Sequence, residues 1–155
     1  MTVRSFLLLF TLATSACFAQ YCDKIDQRDA DLVLGGQATP LGMGVLGCSY
    51  SVRGKAARLT LTLSDEGANA KKSFETSRRA AKTSGWFVND ELMLGVTAFS
   101  EWIKPSGPAA AKVGFIVMKG SKLIQFYVTD SSGVVGRKET LEKLRPIARR
   151  VIDRI

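Results

Sequence analysis

Two segments in the C-terminal half, Lys112 to Met118 and Lys122 to Thr129, are apolar on both faces. Val113, Phe115 and Val117 alternate with Ile116 and Met118; Ile124, Phe126 and Val128 alternate with Leu123 and Tyr127. A strand with one wet face alternates apolar and polar residues, so strands of this kind belong in the middle of a sheet covered on two sides. Only Lys119-Gly120-Ser121 separates the two, which predicts a tight hairpin. The chain must therefore supply further strands on either flank and helices for both faces.

Those elements can be read from the remaining pattern. Cys48, Tyr50 and Val52 alternate with Ser49 and Ser51; Leu59, Leu61 and Leu63 alternate with Thr60 and Thr62. With the turn around Gly54 these runs predict a second hairpin, apolar on one face and hydroxyl-rich on the other. Ala98 to Ile103 reads as a strand ending at Pro105-Ser106-Gly107-Pro108. Trp86-Phe87-Val88 and Leu92-Met93-Leu94-Gly95-Val96 lie before it, and Gln37 to Gly47 reads as a glycine-rich loop lying over the core.

Three helices are expected. Asp26 can cap a short one that ends at Gly35-Gly36, with Leu32 and Leu34 as its apolar side. Ala70, Phe74, Ser77 and Ala81 mark a narrow apolar face on a helix over residues 68–82. Leu141, Leu144, Ala148, Val151 and Ile155 form a stripe on a C-terminal helix, which Pro146 should kink or split. The fold class is α+β: an antiparallel sheet of about five strands with helices packed on it, including a C-terminal helix.

The first residues give the compartment. Arg4, the apolar run from Phe6 to Ala13 and small residues up to Ala19 predict a signal peptide over 1–19. A single exported domain over 20–155 follows. The apolar run is too short for a bilayer, which needs roughly 20 residues, and no later run is long enough. Of three cysteines, cleavage would discard Cys17 and leave Cys22 and Cys48, an even pair that predicts one disulfide in an oxidising compartment. The alternative is a lipoprotein anchored at Cys17, for which Thr14-Ser15-Ala16 is a poor lead-in.

The chain carries a formal charge of +8, or +7 without Arg4. Basic charge on an exported protein attracts anionic envelope components or acidic protein partners. The polar side of the second helix concentrates it: Lys71, Lys72, Arg78, Arg79 and Lys82 form the candidate anion-binding face, with Glu75 among them. No motif asks for a specific nucleic acid.

Catalytic signatures are absent from the sequence. There is no histidine, which removes histidine triads and most zinc sites. Neither a Ser-x-x-Lys pair nor a phosphate-binding glycine loop occurs. Asp23, Asp26, Asp29 and Asp31 cluster, but Lys24 and Arg28 sit among them and the spacing matches no calcium loop, so a solvated helix face is expected. No cofactor and no metal site is read. The expected class is a non-enzymatic binding or accessory protein; the alternative is a hydrolase whose carboxylates converge only in the fold.

Cys22, Leu34-Gly35, Cys48-Ser49-Tyr50, Gly95-x-x-Ala98, Lys119-Gly120 and the Leu-x-x-Ile-Ala-x-x-Val run from Leu144 give an order that resembles the PsbP-like lipoproteins and related extracellular sensor domains of bacteria. The chain departs from them in lacking a proper lipid-attachment motif. The resemblance implies an antiparallel sheet with packed helices and a binding or assembly role, with no reaction.

Overall fold

The computed structural model describes residues 22–44, 47–103, 110–132 and 136–155. The predicted leader, Cys17 and the Pro105–Pro108 turn lie outside these residues.

Seven strands form one antiparallel sheet, in the order β1-β2-β3-β7-β6-β5-β4. They are β1 (Ala38–Gly44), β2 (Gly47–Val52), β3 (Ala57–Asp65), β4 (Phe87–Asp90), β5 (Thr97–Ile103), β6 (Ala111–Lys119) and β7 (Lys122–Asp130). Two meanders, β1 to β3 and β4 to β7, meet edge to edge where β3 pairs with β7 from Ala57↔Asp130 to Asp65↔Lys122. β6 and β7 are central, as their two-sided apolar pattern requires, and Gly120 at φ 59° makes their tight turn.

The sheet thus has two strands more than the sequence pattern indicated, and both are edges. β1 occupies much of the stretch read as a loop. Pro40 lacks an N–H and is tolerated because β1 has one neighbour; the register shifts between Pro40 and Gly42. β4 is four residues long and mostly exposed. Edge strands bury little, so they carry no strong alternation.

Each face is covered differently. On one face, α1 (Gln27–Leu34) and α3 (Arg137–Asp153) lie over Leu59, Leu61, Val113, Phe115, Phe126 and Val128, forming the larger core with Leu144, Ile147 and Val151. On the other, α2 (Ala70–Thr83) covers Phe99, Ile116, Leu123 and Tyr127 through Phe74, which meets Phe99 edge-on at 5.1 Å. α2 lies against β4, β6 and β7.

The helix signals act as expected, with two differences. Asp26 accepts from Arg28 N at 3.2 Å, and Gly35 ends α1 at φ 68°. Ala30 and Leu34 are the buried positions of α1, whereas Leu32 is 56 % exposed; residues two apart point about 200° from one another on a helix, so the two leucines cannot share a face. Pro146 does not split α3, which continues through it to Asp153. The proline sits on the exposed side of that helix.

Cys22, in a 3₁₀ turn before α1, is bonded to Cys48 on the core side of β2, with Cα atoms 5.5 Å apart. The Tyr50 hydroxyl lies 3.4 Å from the carbonyl oxygens of Cys22 and Ile25 and donates to them. The N-terminal turn is therefore held to β2 by a covalent bond and a buried phenol.

Gly114 marks the tightest point of the sheet. A Cβ there would overlap the Phe126 carbonyl oxygen and come within 2.5 Å of Tyr127 Cδ1. Backbone cannot move aside in a central strand, so Gly114→Ala is expected to cost about 2–3 kcal/mol. Urea unfolding would show it as a lower midpoint at unchanged slope; a midpoint equal to wild type would contradict the close approach.

Candidate functional site

α2 has a narrow buried edge and a wide basic back. Ala70, Phe74 and Ala81 are its buried residues. At about 100° per residue, the five predicted cations span roughly a third of the circumference. Lys71, Lys72, Arg79 and Lys82 are exposed and make no ion pair with a carboxylate among the described residues. Arg78 differs: its guanidinium is paired with Asp90 at the end of β4. The structure therefore keeps four of the five as open charge and uses Arg78 to tie α2 to the β4 edge.

Two of the open cations sit where the helix disfavours them. Lys71 and Lys72 occupy the first turn, and no acid lies in that turn. The positive end of the helix dipole opposes a cation there by about 0.3–1 kcal/mol each. Asn69 contributes no side-chain cap. Glu66 is the acid nearest this end; Ser64 and Ser73 donate to its two oxygens at 2.8 and 3.1 Å. Together with Asn69, Lys72, Thr76 and Ser77, Glu66 and Ser73 line an open cleft of about 500 Å³.

Beneath the other end of α2 lies a charged cluster that the sequence pattern did not reveal. Glu101 on β5 has a side chain only 1 % exposed, and Lys112 Nζ on β6 stands 3.3 Å from its Oε1. The ammonium also lies 3.4 Å from the Tyr127 ring centre and 5.4 Å from that of Trp86. Burial first, and then the negative charge of Glu101, pushes the Tyr127 phenol well above its ordinary range. Glu101 follows Ser100 in β5 and shares its face of the strand with Phe99 and Ile103, so it carries no signal in one dimension. Gly114, opposite both Glu101 and Tyr127 in the register, is the one local hint, since it leaves room for the ring.

This cluster has a pH consequence. Above about pH 10 the unfolded chain releases its tyrosine protons, whereas folded Tyr127 retains its own. The native state then binds more protons, so stability falls as pH rises, by about 1.4 kcal/mol per unit for each such tyrosine. Tyr50, raised by burial and by Asp26, acts in the same direction. Denaturant melts between pH 8 and 11.5 should show the decline, and in a Tyr21→Phe background, which leaves Tyr50 and Tyr127 as the tyrosines, absorbance at 295 nm should rise only on unfolding. Early tyrosinate absorbance from the folded protein would contradict it.

Asp90 and Glu91 line a cleft of about 620 Å³, but each has its own guanidinium. Glu91 is 6 % exposed and is gripped by Arg145 from α3 at 3.0 and 2.9 Å; this bidentate bond raises the Arg145 pKa further. Three of the four N-terminal aspartates are likewise structural, the side chain of Asp23 lying outside the described ones. Asp26 caps α1, Asp29 pairs with Arg150, and Asp31 accepts from Ala38 N at 2.6 Å. No metal-binding group of acids or cysteines occurs among the described residues.

The hydroxyl-rich face of the β2–β3 hairpin is present as read. Ser49 and Thr60 hydroxyls are 3.2 Å apart across β2 and β3, and Ser51 pairs with Arg58 in the register. These hydroxyls are partly spent on one another. No helix among the described residues is long and apolar enough to cross a membrane. Comparison with protein families, with curated proteins and with solved structures finds no match for this chain.

Proposed function

We propose that this chain is an exported, non-enzymatic binding or accessory protein of the bacterial cell envelope that engages an anionic component through the outer face of α2. The observation that carries this reading is the open charge of Lys71, Lys72, Arg79 and Lys82. What sets α2 apart is clustering: four cations without an ion pair among the described residues share one helix face, with the exposed Glu75 as the acid among them, whereas Arg145 and Arg150 on α3 are each matched to a carboxylate. Placing two lysines against the helix dipole costs stability, and a sequence that keeps such a cost gains something other than stability by it. The disulfide fits an oxidising compartment. The resemblance to PsbP-like lipoproteins implies a role of the same class. The engagement of Asp90 and Glu91 by Arg78 and Arg145 weighs against a hydrolase that would use that pair of cleft carboxylates.

The test uses inorganic polyphosphate as a probe of the secreted protein. Binding is expected, with a log–log salt slope near −3 for about four engaged cations. Lys71→Glu/Lys72→Glu is expected to weaken binding about tenfold or more at 0.1 M salt. The same variant should be more stable than wild type at low salt, by about 0.5–2 kcal/mol in total. Polyphosphate binding unchanged in this variant would refute the assignment. Sequencing of the secreted chain from Gln20 would support export, and a lipid on Cys17 would replace soluble export with anchoring.

A further inference from the structure

Leu92 and Met93 are adjacent apolar side chains, 88 % and 59 % exposed, at the turn between β4 and β5. That turn is held firmly. Glu91, gripped by Arg145, accepts from Met93 N at 3.3 Å, and Arg149 donates to the Met93 carbonyl. Leu94 is buried beneath, and Gly95 closes the turn at φ 71°. The backbone is fixed while two apolar side chains are left in water. The other exposed large apolar residues, Leu32, Leu41 and Phe87, are isolated in sequence, which is ordinary for a protein surface.

The tip is a ridge between two open clefts of about 620 and 580 Å³. Arg78 lines the first together with Asp90 and Glu91, each of these acids held by a guanidinium; Lys119 and Arg149 line the second, with Asp153 as its acid. Lys119 and Arg149 donate to the carbonyl oxygens of Ile152 and Met93. A neutral acceptor positions a cation without cancelling its charge. Arg78, by contrast, is engaged by Asp90.

We propose that the Leu92–Met93 tip inserts into the interfacial layer of an anionic lipid bilayer, with headgroup phosphates beside Lys119 and Arg149. Apolar side chains flanked at once by cations match that layer, where acyl carbon lies directly beneath anionic phosphate. The centre of a protein–protein contact is depleted of lysine, so Lys119 next to the ridge favours lipid over a protein pocket. The tip is a different element from the α2 face, so either assignment can fail alone.

The secreted protein is tested with vesicles of phosphatidylglycerol and phosphatidylcholine against vesicles of phosphatidylcholine alone. Binding to the anionic vesicles is expected, and Leu92→Ser/Met93→Ser should weaken it about tenfold or more while polyphosphate affinity is retained. Leu92→Trp should gain a blue-shifted emission component on those vesicles. Wild-type vesicle affinity in the double serine variant, or no emission shift in Leu92→Trp, would overturn the proposal. Tip insertion by a protein that ignores polyphosphate would support it and remove the α2 reading alone.

Discussion

Lys112→Met is expected to lower unfolding stability by about 3 kcal/mol, near the low end of the range for breaking a buried ion pair. The loss comes from Glu101. Its carboxylate is 1 % exposed and Lys112 is its cation at 3.3 Å, so removing the ammonium leaves a buried charge uncompensated. Met keeps an unbranched apolar side chain of similar length, which separates loss of charge from loss of volume. Lys112 itself is 26 % exposed, and water reaching its position moderates the cost. Glu101→Gln combined with Lys112→Met should recover most of the stability, because a neutral amide costs far less to bury than a lone carboxylate. A double-mutant cycle from guanidinium unfolding would measure a coupling of about 2 kcal/mol. A single-variant loss under about 1 kcal/mol would show the pair to be solvated.

Loss of the Cys22–Cys48 bond is expected to cost about 3.5 kcal/mol from the chain entropy of its loop. The partners are 26 residues apart in sequence. The bond joins the turn before α1 to β2, and α1 helps to cover the β1–β3 half of the sheet. Cys22→Ala/Cys48→Ala should therefore melt about 10–15 °C lower. Proteolysis near the N-terminus should precede global unfolding, because Tyr50 alone would then hold the turn to the strand. Thiol titration of the unfolded wild type without reductant should find this pair unreactive. Equal melting temperatures with and without the bond would mean that the turn is held by packing.

Hairpins and caps were legible because their signals are local. Leu59, Leu61 and Leu63 alternate with threonines over a few positions, and β3 shows that burial pattern directly. Asp26 and Gly35 bracket α1 through contacts within a few residues. The stripe on α3 lies on the core, and the structure adds Ile147 and Ile152 to it. The edge strands were not legible. β1 carries Pro40 and several glycines, and it is a strand because β2 offers it a partner. β4 buries too little to leave a pattern. Spacing alone does not distinguish the five cations on the outer face of α2, and one of them, Arg78, is tied to Asp90 across 12 positions.

The sequence by itself determined which segments need two covered faces and which faces of α2 and α3 point inward. Each depends on spacing along a few turns or pleats, which fixes the direction of a side chain before any partner is present. Only the tertiary structure decided which charges stay open, that Glu101 is buried against Lys112, and that Leu92 and Met93 are left in water. Those outcomes depend on neighbours far away in sequence: Arg145 meets Glu91 across 54 positions, and Arg150 meets Asp29 across 121. A charge or an apolar side chain has no fixed role until such a neighbour either neutralises it, covers it or leaves it exposed.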